Sequence, residues 1–253
     1  MRISPAPVKV SVILPAMNEE ASLPGAIRSA REAGADEVIV VDGGSSDRTV
    51  EIARSLADAV LRTSPGRASQ MNAGVRAASG DILLFLHADT LLPPGSLDAV
   101  RAAVHDGGIS GGGFSVLLAV SPFSSLYCKA ILRLTGSMIG VRSKIFRSYT
   151  GDQAIFVRRD VFESIGGFPE IPLMEDVEFS RSLAARGKTL LLPVRISTSG
   201  RRWEASGPIR TILMMWGLRL AYSLGMSPAR CAEFYARSRG KAAGQGVRSG
   251  NRV

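Results

Sequence analysis

Three acidic clusters carry the residue types best suited to chemistry in this chain: Asp42-Gly43-Gly44, His87-Ala88-Asp89 and Glu175-Asp176. Glycines beside Asp42 let a ligand approach the backbone closely, so its carboxylate can accept hydrogen bonds from a base or ribose; the plainer reading is a turn that Asp42 caps. Residues two apart in an extended segment point the same way, which aims His87 and Asp89 together. A carboxylate there suits Mg2+ or Mn2+ bridging two phosphates. His87 then serves as a softer ligand or a phosphate partner, or simply packs under the loop. Asp176 falls near a predicted helix start, where it can act as general base towards a hydroxyl or merely favour the helix dipole. Arg67 and Asn72 near another helix start suit anion and base contacts, although a plain amphipathic helix explains them too. Arg201-Arg202-Trp203 offers two guanidiniums and an aromatic plane for a diphosphate and a stacked ring, or a basic surface turn.

Buried strands must hold these groups. Apolar runs at 10–15, 37–41 and 81–86 each end in a polar tip, at Asn18-Glu19-Glu20, Asp42 to Asp47 and His87 to Thr90. Such runs read as parallel strands covered on both faces, and ligands of open α/β sheets bind beyond the carboxyl ends of the strands. Helical spacing at 20–33 and 66–78, and a helix opening after Asp47, alternate with a short strand at 59–61, which implies right-handed βαβ crossovers. Past Pro93-Pro94 the pattern changes. A helix at 96–105 precedes a glycine-rich stretch, 107–113, read as a flexible break before a strand at 114–120. A helix around 126–134, strands at 154–157, 190–192 and 194–196, a helix from Pro172 to Gly187 and terminal helices at 209–224 and 228–236 complete the chain.

The 253 residues carry a net charge of +9. The segment 237–253 holds five cations and no acid, the composition of a tail that does not fold. A second basic stretch lies between Asp106 and Asp152. No nucleic-acid motif accompanies these charges, so an anionic lipid surface or a phosphorylated substrate is the expected attraction. Cys128 and Cys231 lack metal-ligand spacing and read as free thiols of a reducing, cytoplasmic compartment. No signal core is visible, and no run reaches the ~18 apolar residues of a membrane span. Peripheral contact with the inner face of a membrane, or a homodimer through 211–224, remains compatible with the apolar content of that stretch.

In combination the motifs are more specific than any one of them. The chain resembles the family 2 glycosyltransferases in the 12–19 stretch, 40–47, 67–74, His87-Ala88-Asp89, Gly151-Asp152-Gln153 and Glu175-Asp176. The wording of 85–90 and Arg202-Trp203 is most similar to a bacterial subgroup labelled arsenosugar-biosynthesis glycosyltransferases. The resemblance implies an α/β GT-A fold with a mostly parallel central sheet over 8–205, followed by a helical extension at 206–236 and the basic tail. It implies that Pro15, Asn18 and Glu19 border the nucleotide, that Asp42, Arg67 and Asn72 hold the base, that Asp89 binds the metal and that Asp176 is the general base. The chain departs from the family at His87, where Asp is usual, and at 201–203, where the usual leading Gln is missing.

The activity implied is inverting transfer of a sugar from a UDP- or GDP-sugar to a hydroxyl acceptor, lipid-linked or phosphorylated. A nucleotidyltransferase that makes the activated sugar shares the architecture, but it needs a glycine-rich basic loop where Ala16-Met17-Asn18-Glu19 stands. A non-catalytic nucleotide-sugar-binding module would not need Asp176. A dinucleotide-dependent dehydrogenase would need a G-x-G-x-x-G after the first strand, and none is there.

Overall fold

The computed structural model describes residues 8–122 and 124–246, without the side chains of 106, 107, 202, 205 and 239–246. One eight-stranded sheet forms its centre. β1 (Val10–Ala16), β2 (Glu37–Asp42), β3 (Ala59–Arg62) and β4 (Ile82–Phe85) are mutually parallel. Helices α1 (Leu23–Glu32), α2 (Thr49–Leu56) and α3 (Arg67–Ala77) make the crossovers. Parallel strands cannot be joined by tight turns, so the strand–helix alternation in the sequence produces this half directly.

The strands divide their side chains between two cores, as a period of two requires. Val10, Val12 and Leu14 join Val38 and Val40 under α1, α2 and α4 (Ser96–Gly107). Ile13, Ile39 and Val41 face the other way, onto α3, α6 (Arg159–Ile165) and α7 (Glu175–Arg186). A Cβ on Gly74 would run into the Ile13 side chain, so this glycine lets α3 lie tight against β1.

The other half of the sheet is mixed. β7 (Ile155–Arg158) runs antiparallel to β4, and β6 (Gly111–Ala119) antiparallel to β7. β8 (Thr189–Ser199) lies parallel to β6, with a register shift between Phe114 and Ser115, and β5 (Thr90–Leu91) pairs antiparallel with β8. Among the described residues four of the seven strand pairings are parallel, and the antiparallel ones all lie from β4 onward. The expected flexible break at 107–113 is corrected. Gly111, Gly112 and Gly113 are buried strand residues, and a Cβ on Gly112 would collide with the Leu190 carbonyl oxygen of β8.

The helix expected around 126–134 extends as α5 (Leu126–Phe146), capped by the Ser125 hydroxyl, which accepts from the Cys128 amide at 3.1 Å. After α8 (Arg201–Ser206) come α9 (Pro208–Ser223) and α10 (Pro228–Gly246). Segment 237–246 of the expected unfolded tail is helical, and 247–253 lie outside the described residues. α9 and α10 dock on the start of α7 through a small cluster of Met174, Leu218 and Cys231. Both cysteines are free. Among the described residues no helix is long and apolar enough to cross a membrane.

Candidate active site

The loops after β1 and β2 are laced into one unit. Asn18 adopts φ 55°, a left-handed conformation that Asn tolerates better than most residues. Its amide donates to Ser45 Oγ at 2.9 Å, and its Oδ1 accepts from the Ser46 amide at 2.8 Å. The Glu19 amide donates to Thr49 Oγ1 at 2.8 Å. Asp42, 0% exposed at the end of β2, accepts from the Gly44 and Ser45 amides at 3.1 Å and lies 3.7 Å from the Arg62 guanidinium. The hydrogen bonds of Asp42 are those of the turn reading, its carboxylate capping the Gly44 and Ser45 amides. Pro15 sits beside Val41 in the β1–β2 register.

Gln70, which the sequence reading passed over, pins this corner. Its buried amide donates to the carbonyls of Ala16 at 2.9 Å and Val41 at 2.8 Å, directly under Gly43. The signal was a polar residue on the core-facing side of α3. Asn72 has different work from the base contact expected of it. It donates to the Phe168 carbonyl and accepts from the Phe168 amide, both at 2.9 Å, so both ends of its amide clamp the 166–168 loop. Phe168 in turn stacks on Phe179 of α7 at 4.1 Å and meets Phe85 of β4 edge-on at 4.8 Å. Aromatic packing of this kind fixes α7 against the end of β4.

That packing delivers the acidic pair. Met174, at φ 73°, turns the chain into α7. Asp176 Oδ2 accepts from the Gly151 amide at 3.0 Å, and Oδ1 from the Val177 amide at 2.8 Å. His87 lies against the same Gly151, where any Cβ would strike its Nε2. The loop after β4 and the start of α7 therefore meet across one glycine. Glu175, only 6% exposed, lies 4.0 Å from Arg67 at the start of α3. Burial first, and the charge of Asp176 second, push the Glu175 carboxyl up to about 7, against the pull of Arg67.

The remaining residues close the ring. The half-buried Asp89 accepts from the Ser199 amide through its main-chain oxygen at 3.1 Å, tying the β4 loop to the end of β8. Arg201 donates to Ser22 Oγ at 3.1 Å and approaches Glu19 at 3.7 Å, joining that end to the β1 loop. Trp203 follows, half-buried on α8; the Arg202 side chain lies outside the described residues. Predicted residues from six segments thus border one edge of the sheet, beyond the carboxyl ends of β1, β2 and β4.

Two cations that the sequence reading did not select sit on the far wall. Arg142 of α5 reaches the Ser148 carbonyl at 3.4 Å and Gln153 Oε1 at 3.1 Å, and Arg219 of α9 reaches Ser148 Oγ at 2.9 Å. Burial, then the neighbouring Arg219, lower the Arg142 guanidinium to about 10, while Asp152 and Asp176 pull it back. Burial lowers Arg219 too, opposed by the same two carboxylates. Arg142 Nε and Asp152 Oδ1 are buried without a hydrogen-bond partner. The available signal was Arg219 itself, a charge inside the apolar stretch from Thr211 to Ser223. A separate cleft of about 420 Å3, lined by Ile165, Gly167, Glu178 and Tyr222 among others, contains none of the predicted residues.

Residues 11–115 match the family model described as Glycosyl transferase family 2. A PGL/p-HBAD biosynthesis glycosyltransferase of Mycobacterium bovis is 33% identical over 172 residues, covering 62% of this chain and 62% of that protein. This chain thus spans under two thirds of the length of that relative. An undecaprenyl-phosphate 4-deoxy-4-formamido-L-arabinose transferase of Pseudomonas paraeruginosa is 35% identical over 106 residues, 36% of this chain and 31% of that protein. The mannosyltransferase PcManGT of Pyrobaculum calidifontis, solved with GDP-Man and Mn2+, matches with a TM-score of 0.61 at 21% identity, over 94% of this chain and 75% of that one. That likeness establishes the fold as GT-A. With the strand-end loops gathered as above, residues 11–115 of this chain are similar to the glycosyl transferase family 2 domain.

Proposed function

We propose that this chain is an inverting glycosyltransferase that moves a sugar from a UDP- or GDP-sugar to a hydroxyl acceptor, with Asp176 as general base. One observation carries the reading: the Gly151 amide holds Asp176 beside the His87 end of β4, at the sheet edge that Asp42 also borders. In the step proposed, Asp176 takes the acceptor's hydroxyl proton. The acceptor oxygen bonds the anomeric carbon from the face opposite the donor's phosphate. The bond from that carbon to the β-phosphate oxygen breaks, and the nucleoside diphosphate leaves with the electron pair. General base assistance is worth on the order of 10²–10⁴ in rate.

Pro15, Asn18, Glu19, Asp42 and Arg67 are assigned to the nucleotide, with Arg201, Arg202 and Trp203 at its diphosphate end. Asn72 acts one step back, by holding the 166–168 loop. Among the described residues no three His, Cys, Asp or Glu side chains gather into a ligand set. Asp89 and His87 would hold Mg2+ or Mn2+, which when bound neutralises charge on the departing diphosphate.

The acceptor class follows from the far wall. Arg142 and Arg219 favour an acceptor bearing phosphate, free or lipid-linked; the name of the Pseudomonas relative supports a lipid phosphate. The arsenosugar subgroup rests on the wording of 85–90 and Arg202-Trp203 alone, and the relatives named above carry other labels. A thermal-shift screen of UDP- and GDP-sugars with Mn2+ tests the donor, since a ligand at a hundred times its Kd stabilises by about 2.7 kcal/mol. One nucleotide class should raise the melting temperature. A flat response to both overturns the proposal, and pyrophosphate release from NTP plus sugar phosphate would favour a nucleotidyltransferase instead.

A further inference from the structure

α5 and α9 pack against each other, and each turns an apolar stripe away from the protein. On α5 the stripe is Tyr127, Leu134, Met138, Val141 and Ile145, with exposures of 61%, 61%, 38%, 57% and 66%. On α9 it is Ile209, Leu213, Trp216, Leu220 and Leu224, exposed by 48%, 66%, 58%, 62% and 79%. The intervals of three, four and seven residues put each set on one helical face. A soluble surface scatters its apolar side chains singly; two adjacent continuous stripes mark an interaction surface.

Charge decides what covers it. Neither helix has an acidic residue, and both have cations: Lys129, Arg133, Arg142 and Lys144 on α5, Arg210 and Arg219 on α9. Arg133, Lys144 and Arg210 are exposed, and Arg147 follows α5 directly. An isologous pairing of two copies of this chain would set these cations against themselves. An anionic bilayer meets both requirements at once, because its headgroups take the cations while its acyl boundary takes the leucines and the interfacial Trp216.

We propose that α5 and α9 seat this protein on the surface of a membrane containing anionic lipid. The helices lie in the interface and do not cross it. Docking there does not depend on the transferase reading. If both hold, the Arg142–Arg219 wall of the site belongs to the two helices that touch the lipid, so an acceptor anchored in the bilayer need not leave it to reach Asp176.

The test is co-sedimentation of the full chain with vesicles of phosphatidylcholine, with and without phosphatidylglycerol. Trp fluorescence is read alongside. Binding is expected only with phosphatidylglycerol, with a blue shift of the emission and weakening by salt. Trp216→Glu and Leu134→Glu, one on each helix and both at exposed positions, should abolish binding while leaving the melting temperature unchanged. Lys144→Ala should weaken partition about fivefold, as expected for one cation near an anionic surface. A chain that stays in the supernatant with anionic vesicles overturns the proposal, as does equal binding to neutral ones. A dimer in sedimentation equilibrium without lipid that Trp216→Glu dissociates would also overturn it, by giving the face to a second copy. Donor-induced thermal shifts are measured separately, so failure here leaves the transferase reading standing.

Discussion

The two halves of the sheet build their share of the site by different means. On the β3-β2-β1-β4 side, short loops leave parallel strands and are fixed by hydrogen bonds within a loop, such as Asp42 with its own turn, or between the loops of adjacent strands, such as Asn18 with Ser45 and Ser46. On the other side nothing local suffices. Asp176 is positioned by Phe168, Phe179 and Phe85 through packing, and Arg142 and Arg219 arrive on helices that begin at Leu126 and Pro208. The β3-β2-β1-β4 side is thus organised by its own loops, whereas the other side depends on tertiary packing.

Asp176→Asn should split the halves most sharply. The rate of transfer should fall by about 10²–10⁴, while the donor-induced thermal shift is kept. If the shift disappears along with the rate, Asp176 belongs to donor binding and the division fails.

Gly112→Val probes the packed side. Its side chain meets the Leu190 backbone, which no rotamer change can move aside. A loss of about 1–3 kcal/mol is expected from overpacking, read as a lower urea midpoint. An unchanged midpoint would mean that β6 and β8 can slide apart, contrary to the reading of Gly112 as a packing necessity.

Glu175→Gln gives the smallest effect, and one that depends on pH. The folded carboxyl sits at about 7 against an ordinary 4.5. Ionising it inside the fold is unfavourable, so the native protein should lose stability as pH rises from about 4.5 past about 7. The variant avoids that loss: it should be the more stable protein at alkaline pH and gain nothing in acid. Melting curves across this range check the sign; a variant less stable in alkali would show that Arg67 holds the ionised form.

Legibility followed the same divide. Asp42, His87, Asp89 and the strand ends were visible because buried parallel strands announce themselves as apolar runs and their tips must be polar. The glycines at 111–113 were misread as flexible, since close approach to Leu190 leaves no local mark. Asn72 was noticed for its position, yet its partner Phe168 stands ninety-six residues away. Gln70 looked like an ordinary helix residue, and Arg142 like one charge of a basic stretch.

Sequence alone determined the parallel strand-and-helix half, its polar loops and the acidic groups available to them, because period-two burial and turn chemistry act over a few residues. Tertiary structure decided which of those groups meet, that two arginines from distant helices face Asp176 and Asp152, and that β6 to β8 form a mixed sheet. Electrostatics and packing act through space, and a charge acquires its neighbours only when the chain has closed around it.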